Sequence, residues 1–185
     1  MDVEQKLKHL NAGGRLHRVV QELPKVVERA EPLDRKVIRL RKLADEAAAV
    51  IAPLAPCKKG CSACCHNPAV ISEVEAMLIA QATGAKLASP ARIFDVTGGP
   101  DARREYFAPY AGTPCTFLRD GNCSIYKDRP SVCRVQHSIE DSAAGCDGGR
   151  QPASVDLTQI FLAELHMMGR MMIYADIREF FPPQG

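Results

Sequence analysis

Four of the eight cysteines in this chain crowd into nine residues, Cys57-Lys58-Lys59-Gly60-Cys61-Ser62-Ala63-Cys64-Cys65, and the others follow at Cys115, Cys123, Cys133 and Cys146. That spacing constrains the fold more than any other feature. A soft cation needs ligands converging at about 2.3 Å from one point. A tight loop supplies two or three of them at little closure entropy. The rest must come from a second segment that the fold brings close. Thiolate softness selects zinc or an iron–sulfur cluster, 4Fe-4S included, and disfavours calcium and magnesium. Spacing alone is compatible with both. All eight, Cys57, Cys61, Cys64, Cys65, Cys115, Cys123, Cys133 and Cys146, are therefore candidate metal ligands, enough for two four-cysteine sites or for one site plus redox cysteines. Neighbouring side chains tend to diverge, so adjacent Cys64 and Cys65 are expected to serve different centres, or only one of them to ligate.

The start, Met-Asp-Val-Glu-Gln-Lys, has no basic stretch followed by an apolar one, and no run approaches the ~18 apolar residues that span a bilayer. The expected location is the cytoplasm, without membrane association. Thiols stay reduced there, so clustered cysteines read as metal ligands rather than disulfides.

Between the cysteines the periodicity is helical. Leu7, Leu10, Leu16, Val19, Val20, Leu23 and Val27 mark one segment, broken at Gly13-Gly14 and disturbed by Pro24. A second covers 33–51 and stops before Pro53 and Pro56. Ser72-Glu73-Val74-Glu75 reads as a capping box opening a helix that Gly84 ends. A short helix is predicted over 101–108, a tight turn at Asp120-Gly121-Asn122, and a short helix after Pro130 carrying Cys133. Leu157, Ile160, Phe161, Leu165, Met168, Met172 and Tyr174 predict one long amphipathic helix over 154–180. No strand pattern exceeds a few residues. The expected fold is mainly α: a small helical domain with cysteine-rich metal-binding loops between helices. Residues 1–55 form an N-terminal helical arm or hairpin, 56–150 the cysteine-cluster domain, and 151–185 a C-terminal helix packing on it.

Several side chains could assist the thiols. Arg129 and Arg134 bracket Cys133 and would offset thiolate charge, as would Lys58, Lys59, Arg119 and Lys127. His66 and His137 can ligate zinc. With eight thiols at hand, each reads better as a neighbour of the metal than as a ligand. The formal charge of +2 and aromatic content of 5% argue against nucleic-acid binding, despite the basic run Arg35, Lys36, Arg39, Arg41 and Lys42. That run reads as a solvated helix face. Paired methionines at 167–168 and 171–172 read as core packing. Apolar residues exposed on the terminal helices would support a homodimer.

The block C-K-K-G-C-S-A-C-C, followed by P-C-T-F-L-R-D-G-N-C-S-I-Y-K-D-R-P-S-V-C-R, resembles the cysteine-cluster family called CxxCxxCC or YkgJ-like, described as a zinc- or iron-chelating domain. The resemblance spans about 57–146. It implies that the family's cysteines fall on Cys57, Cys61, Cys64, Cys65, Cys115, Cys123 and Cys133, with Cys146 as a trailing one. It implies metal binding in the cytoplasm and supplies no reaction. A flagellin lysine methylase family is similar in its cysteine region, which leans toward iron–sulfur. The leading expectation is thus a metal-binding protein holding zinc or an iron–sulfur cluster in a structural, redox or metal-handling role. One alternative is a radical S-adenosylmethionine or other iron–sulfur modification enzyme, since Cys57, Cys61 and Cys64 have C-x3-C-x2-C spacing. Against it stand Ala63 before the third cysteine and the lack of βαβ periodicity. Another is a nucleic-acid or protein-interaction module with structural zinc. A cysteine nucleophile, Cys61 or Cys133 near His66 or His137, is the weakest of these.

Overall fold

The computed structural model describes residues 1–57, 60–142, 146, 153–169 and 172–183. Lys58, Lys59 and Met171 lie outside them.

Asp2 opens α1 (Val3–Ala12) with a reciprocal capping box to Gln5. Gly14, at φ 62°, turns the chain into α2 (Arg15–Glu28). Pro24 sits inside α2 rather than at its end. The third helix, α3 (Leu33–Ile51), buries Val37, Leu40, Ala44, Ala47 and Ile51 completely. These recur every three or four residues, which gives one continuous apolar stripe. Burying a side chain such as Leu40 contributes about 1.5–3 kcal/mol. α2 and α3 pack together and share a core with Leu157, which precedes α7 (Thr158–Met168), and with Ile160 and Ala163 of that helix. Residues 1–55 are thus joined through their core to the C-terminal segment.

Ser72 accepts a hydrogen bond from the Glu75 amide and starts α4 (Glu73–Thr83), and Gly84, at φ 72°, ends it. α5 (Pro100–Phe107) begins at a proline. Asp120 (φ 47°) and Gly121 (φ 72°) form the turn of a minimal hairpin, β2 (Leu118–Arg119) and β3 (Asn122–Cys123). Two successive left-handed residues match the twist of an antiparallel pair, and Asp-Gly tolerates them best. Pro130 precedes α6 (Ser131–Val135), which carries Cys133.

The helix expected over 154–180 is three elements. α7 stops at Gly169, whose φ of 68° no ordinary residue adopts readily. The chain then forms β4 (Tyr174–Asp176) and α8 (Ile177–Phe180). β4 pairs antiparallel with β1 (Val70–Ser72), and all six residues are buried. A fully buried three-residue strand shows no polar alternation, so its residues fit a helical pattern equally well. Asp176 locks the ribbon by accepting from the Ala69 amide at 2.7 Å.

The protein is mainly α: the described residues are 55% helix against 6% strand. Among the described residues the strands make only two antiparallel two-stranded ribbons, unlike the parallel βα repeat of a radical S-adenosylmethionine barrel. No described helix is long and apolar enough to cross a membrane.

Candidate metal centre

Seven of the eight cysteines line one cavity of about 300 Å³: Cys57, Cys61, Cys64, Cys65, Cys115, Cys123 and Cys133. Cys146 is buried but does not line it. The cavity exists because three segments meet over the end of α3. Ala48, Ala49 and Ala52 form part of its wall and leave room that larger side chains would fill. The early loop winds into a 3₁₀ turn at Ala63–His66, with the Cys65 amide donating to Ser62 and the Asn67 amide to Cys64. The Cys115 amide donates to the Cys65 carbonyl at 2.7 Å, and the Gly112 amide to the His66 carbonyl at 2.9 Å. These two bonds fasten the hairpin segment to the early loop. The hairpin carries Cys123, and α6 brings Cys133 in from the third side.

Within the seven, four thiols are mutual neighbours. Each of the six pairs among Cys65, Cys115, Cys123 and Cys133 is close enough for one thiolate's charge to raise the other's pKa. Burial is the larger cause, pushing Cys115 up to about 11 and raising Cys123 and Cys133 as well. The remaining three are joined by the same kind of proximity, Cys57 to Cys61 and Cys61 to Cys64. Cys64 connects the groups, lying close both to Cys65 and to Cys133. The Cys64 thiol donates to Cys65, which holds Cys65 down at about 7 and raises Cys64. His66 and Arg178 also favour the Cys65 thiolate.

Backbone amides point at several sulfurs. The Ser138 amide donates to Cys57 Sγ at 3.4 Å. The amides of Phe117 and Ile125, each two residues on, favour the thiolates of Cys115 and Cys123. Amide donors stabilise sulfur as an anion, the form that ligates metal. The donor set fits a soft cation. The sulfurs ring the space without yet closing on one point: among the described residues no three His, Cys, Asp or Glu side chains are gathered closely enough to hold an ion. Binding therefore asks the thiols to rotate inward and release their protons.

Arg134 is not a thiol partner. Its guanidinium grips the Asp45 carboxylate at 2.6 and 2.7 Å and the carbonyls of Arg129 and Lys127. Arg129 lines the cavity with its guanidinium 3.9 Å from the Tyr126 ring centre. The cation that sequence reasoning missed is Arg178. It pairs with fully buried Asp176 at 2.8 Å and donates to the carbonyls of Cys65, Asn67, Thr113 and Pro114. Its position follows from the β1–β4 ribbon, which the sequence pattern did not reveal. His66 sits beside Cys65 but does not line the cavity, whereas His137 does. His137 is 9% exposed, its Nδ1 makes no well-formed hydrogen bond, and burial lowers its pKa against a smaller opposing effect of the Val135 carbonyl.

Comparison with known protein families identifies the segment. The CxxCxxCC model, described as a "putative zinc- or iron-chelating domain", matches residues 56–148, half of the chain. The chain belongs to this family. The matched residues contain the early loop, the hairpin and α6, so all the thiols of the cavity fall within them. Neither curated proteins nor solved structures yield a match. Family membership and the cavity together make metal binding the property of this domain.

Proposed function

We propose that the chain is a metal-handling protein that holds soft metal, zinc or an iron–sulfur cluster, in two neighbouring centres within the thiol cavity. The supporting observation is the four-way proximity of Cys65, Cys115, Cys123 and Cys133. One tetrahedral ion uses four thiolates. Cys57, Cys61 and Cys64 are then left over beside it, and Cys64 and Cys65 belong to different centres. Bound metal would supply a Lewis-acidic or redox-active group there. The protein's part is to orient thiolates with the Ser138, Phe117 and Ile125 amides and to offset their charge with Arg178.

Handling suits the site better than a purely structural role. Three apolar clusters pack without the cysteines of the early loop, with Cys115 and Cys123 against one of them, so most of the core is apolar contact rather than cysteine loop. The seven cavity cysteines are also half-buried rather than sealed, which leaves a route for exchange. The test is anaerobic purification with elemental analysis and an absorption spectrum. About two zinc ions per colourless chain, or stoichiometric iron and sulfide with a broad visible band, is the expected result. Folded protein that takes up neither, with unchanged stability when chelator is added, overturns it.

A further inference from the structure

We propose that His137 is a metal ligand, completing with Cys57, Cys61 and Cys64 a mixed nitrogen–sulfur centre beside the four-cysteine one; this rests on the two-centre reading above. Three thiols fall one short of a closed tetrahedral site. His137 is the remaining strong donor on the cavity wall. The residue is nine-tenths buried and its Nδ1 makes no well-formed hydrogen bond, the Val135 carbonyl offering only a contact that burial outweighs. A buried nitrogen without a full hydrogen bond destabilises the fold, and a native protein tolerates that where a function uses the group. The position is also right. The amide of the next residue, Ser138, donates to Cys57 Sγ at 3.4 Å, which fixes this stretch of chain against the three-thiol group.

The competing donors are accounted for. Asp45 lines the cavity, but both its oxygens are taken by Arg134. His66 and Cys146 do not line it. Three thiolates and a neutral imidazole around a divalent ion carry about −1, against about −2 for four thiolates. Two adjacent centres repel each other less when one has the smaller charge. The same set names the metal for this centre, because Cys₃His is a common zinc arrangement.

The full chain, stripped of metal and kept reduced under anaerobic conditions, is titrated with Co²⁺, which reports thiolate ligation through its visible and near-ultraviolet absorption. Wild type is expected to bind two Co²⁺. His137→Ala should keep one and bind the second at least about 10-fold more weakly. His137→Cys should restore the second ion and strengthen the thiolate-to-cobalt band. Cys146→Ser should keep both. Two Co²⁺ bound by His137→Ala as tightly as by wild type overturns the assignment, as does loss of the second ion in Cys146→Ser instead. If the alanine variant unfolds, His137→Cys decides: an unchanged band overturns the proposal. Failure of the parent reading looks different. There wild type itself takes fewer than two ions, or Cys65→Ser leaves the count unchanged.

Discussion

Replacing Glu164 with glutamine should make the protein more stable at alkaline pH and flatten its pH dependence. Glu164 is 3% exposed, and Glu75, 1% exposed, lies close by. Ser72 joins them, donating to Glu164 at 2.7 Å and accepting from the Glu75 amide at 3.3 Å. Among the described residues one cation serves this pair of carboxylates: Arg41, whose Nε is 3.0 Å from Glu75 Oε1. Glu75 also accepts from the Ser131 amide and hydroxyl, at 2.8 and 2.9 Å. Glu75 is thus well provided for as an anion. Glu164 is not, and burial followed by the Glu75 charge raises its pKa from 4.5 to about 8. The folded state therefore binds a proton that the unfolded chain releases. Stability from this group is complete below pH 4.5 and is lost as pH rises toward 8. The slope is about 1.4 kcal/mol per pH unit, with a total of about 3–5 kcal/mol across the window. Glutamine keeps the shape and the acceptor for Ser72 and does not titrate. Urea unfolding of zinc-saturated wild type and Glu164→Gln at pH 5, 6, 7 and 8 checks this. The difference between them should grow with pH in favour of the variant. Parallel curves would refute the claim that Glu164 is protonated in the fold.

Other perturbations probe the cavity and its supports. Cys133→Ser should lower the bound zinc from two ions to one, read by elemental analysis, because Cys133 belongs to the fully connected tetrad. Arg178→Met leaves Asp176 charged, buried and unpaired and removes the donor from four carbonyls; it should cost about 3–5 kcal/mol in urea unfolding. Gly121→Ala places a side chain at φ 72° and should cost about 1–2 kcal/mol, read as a lower melting temperature, with the zinc count unchanged. Removing zinc with a strong chelator should lower stability by mass action, by about 4 kcal/mol relative to protein at a thousandfold excess of free metal over its dissociation constant.

The basic run on α3 shows how far local pattern reaches. Its charges read as a solvated face, and Arg39 does lie exposed against Glu31. Arg41, two residues on, is buried against Glu75, 34 residues away. Nothing within α3 announces a partner on α4. The same limit applies to Arg178 and to β4. A three-residue buried strand has no period of its own, and its pairing with β1 joins positions more than 100 residues apart.

Local signals were legible wherever the cause was local. The capping serine of α4, the terminating Gly84, the Asp-Gly turn and the heptad-like stripe of α3 each act within one or two helical turns, so the sequence alone determines them. Cysteine spacing likewise determined that soft-metal chemistry was intended. Tertiary structure alone decided which thiols share a space. It brought seven around one cavity, left Cys146 outside, set Arg178 over Cys65 and placed His137 on the wall. Convergence of side chains from distant segments depends on how helices and ribbons pack, and packing is a property of the whole chain.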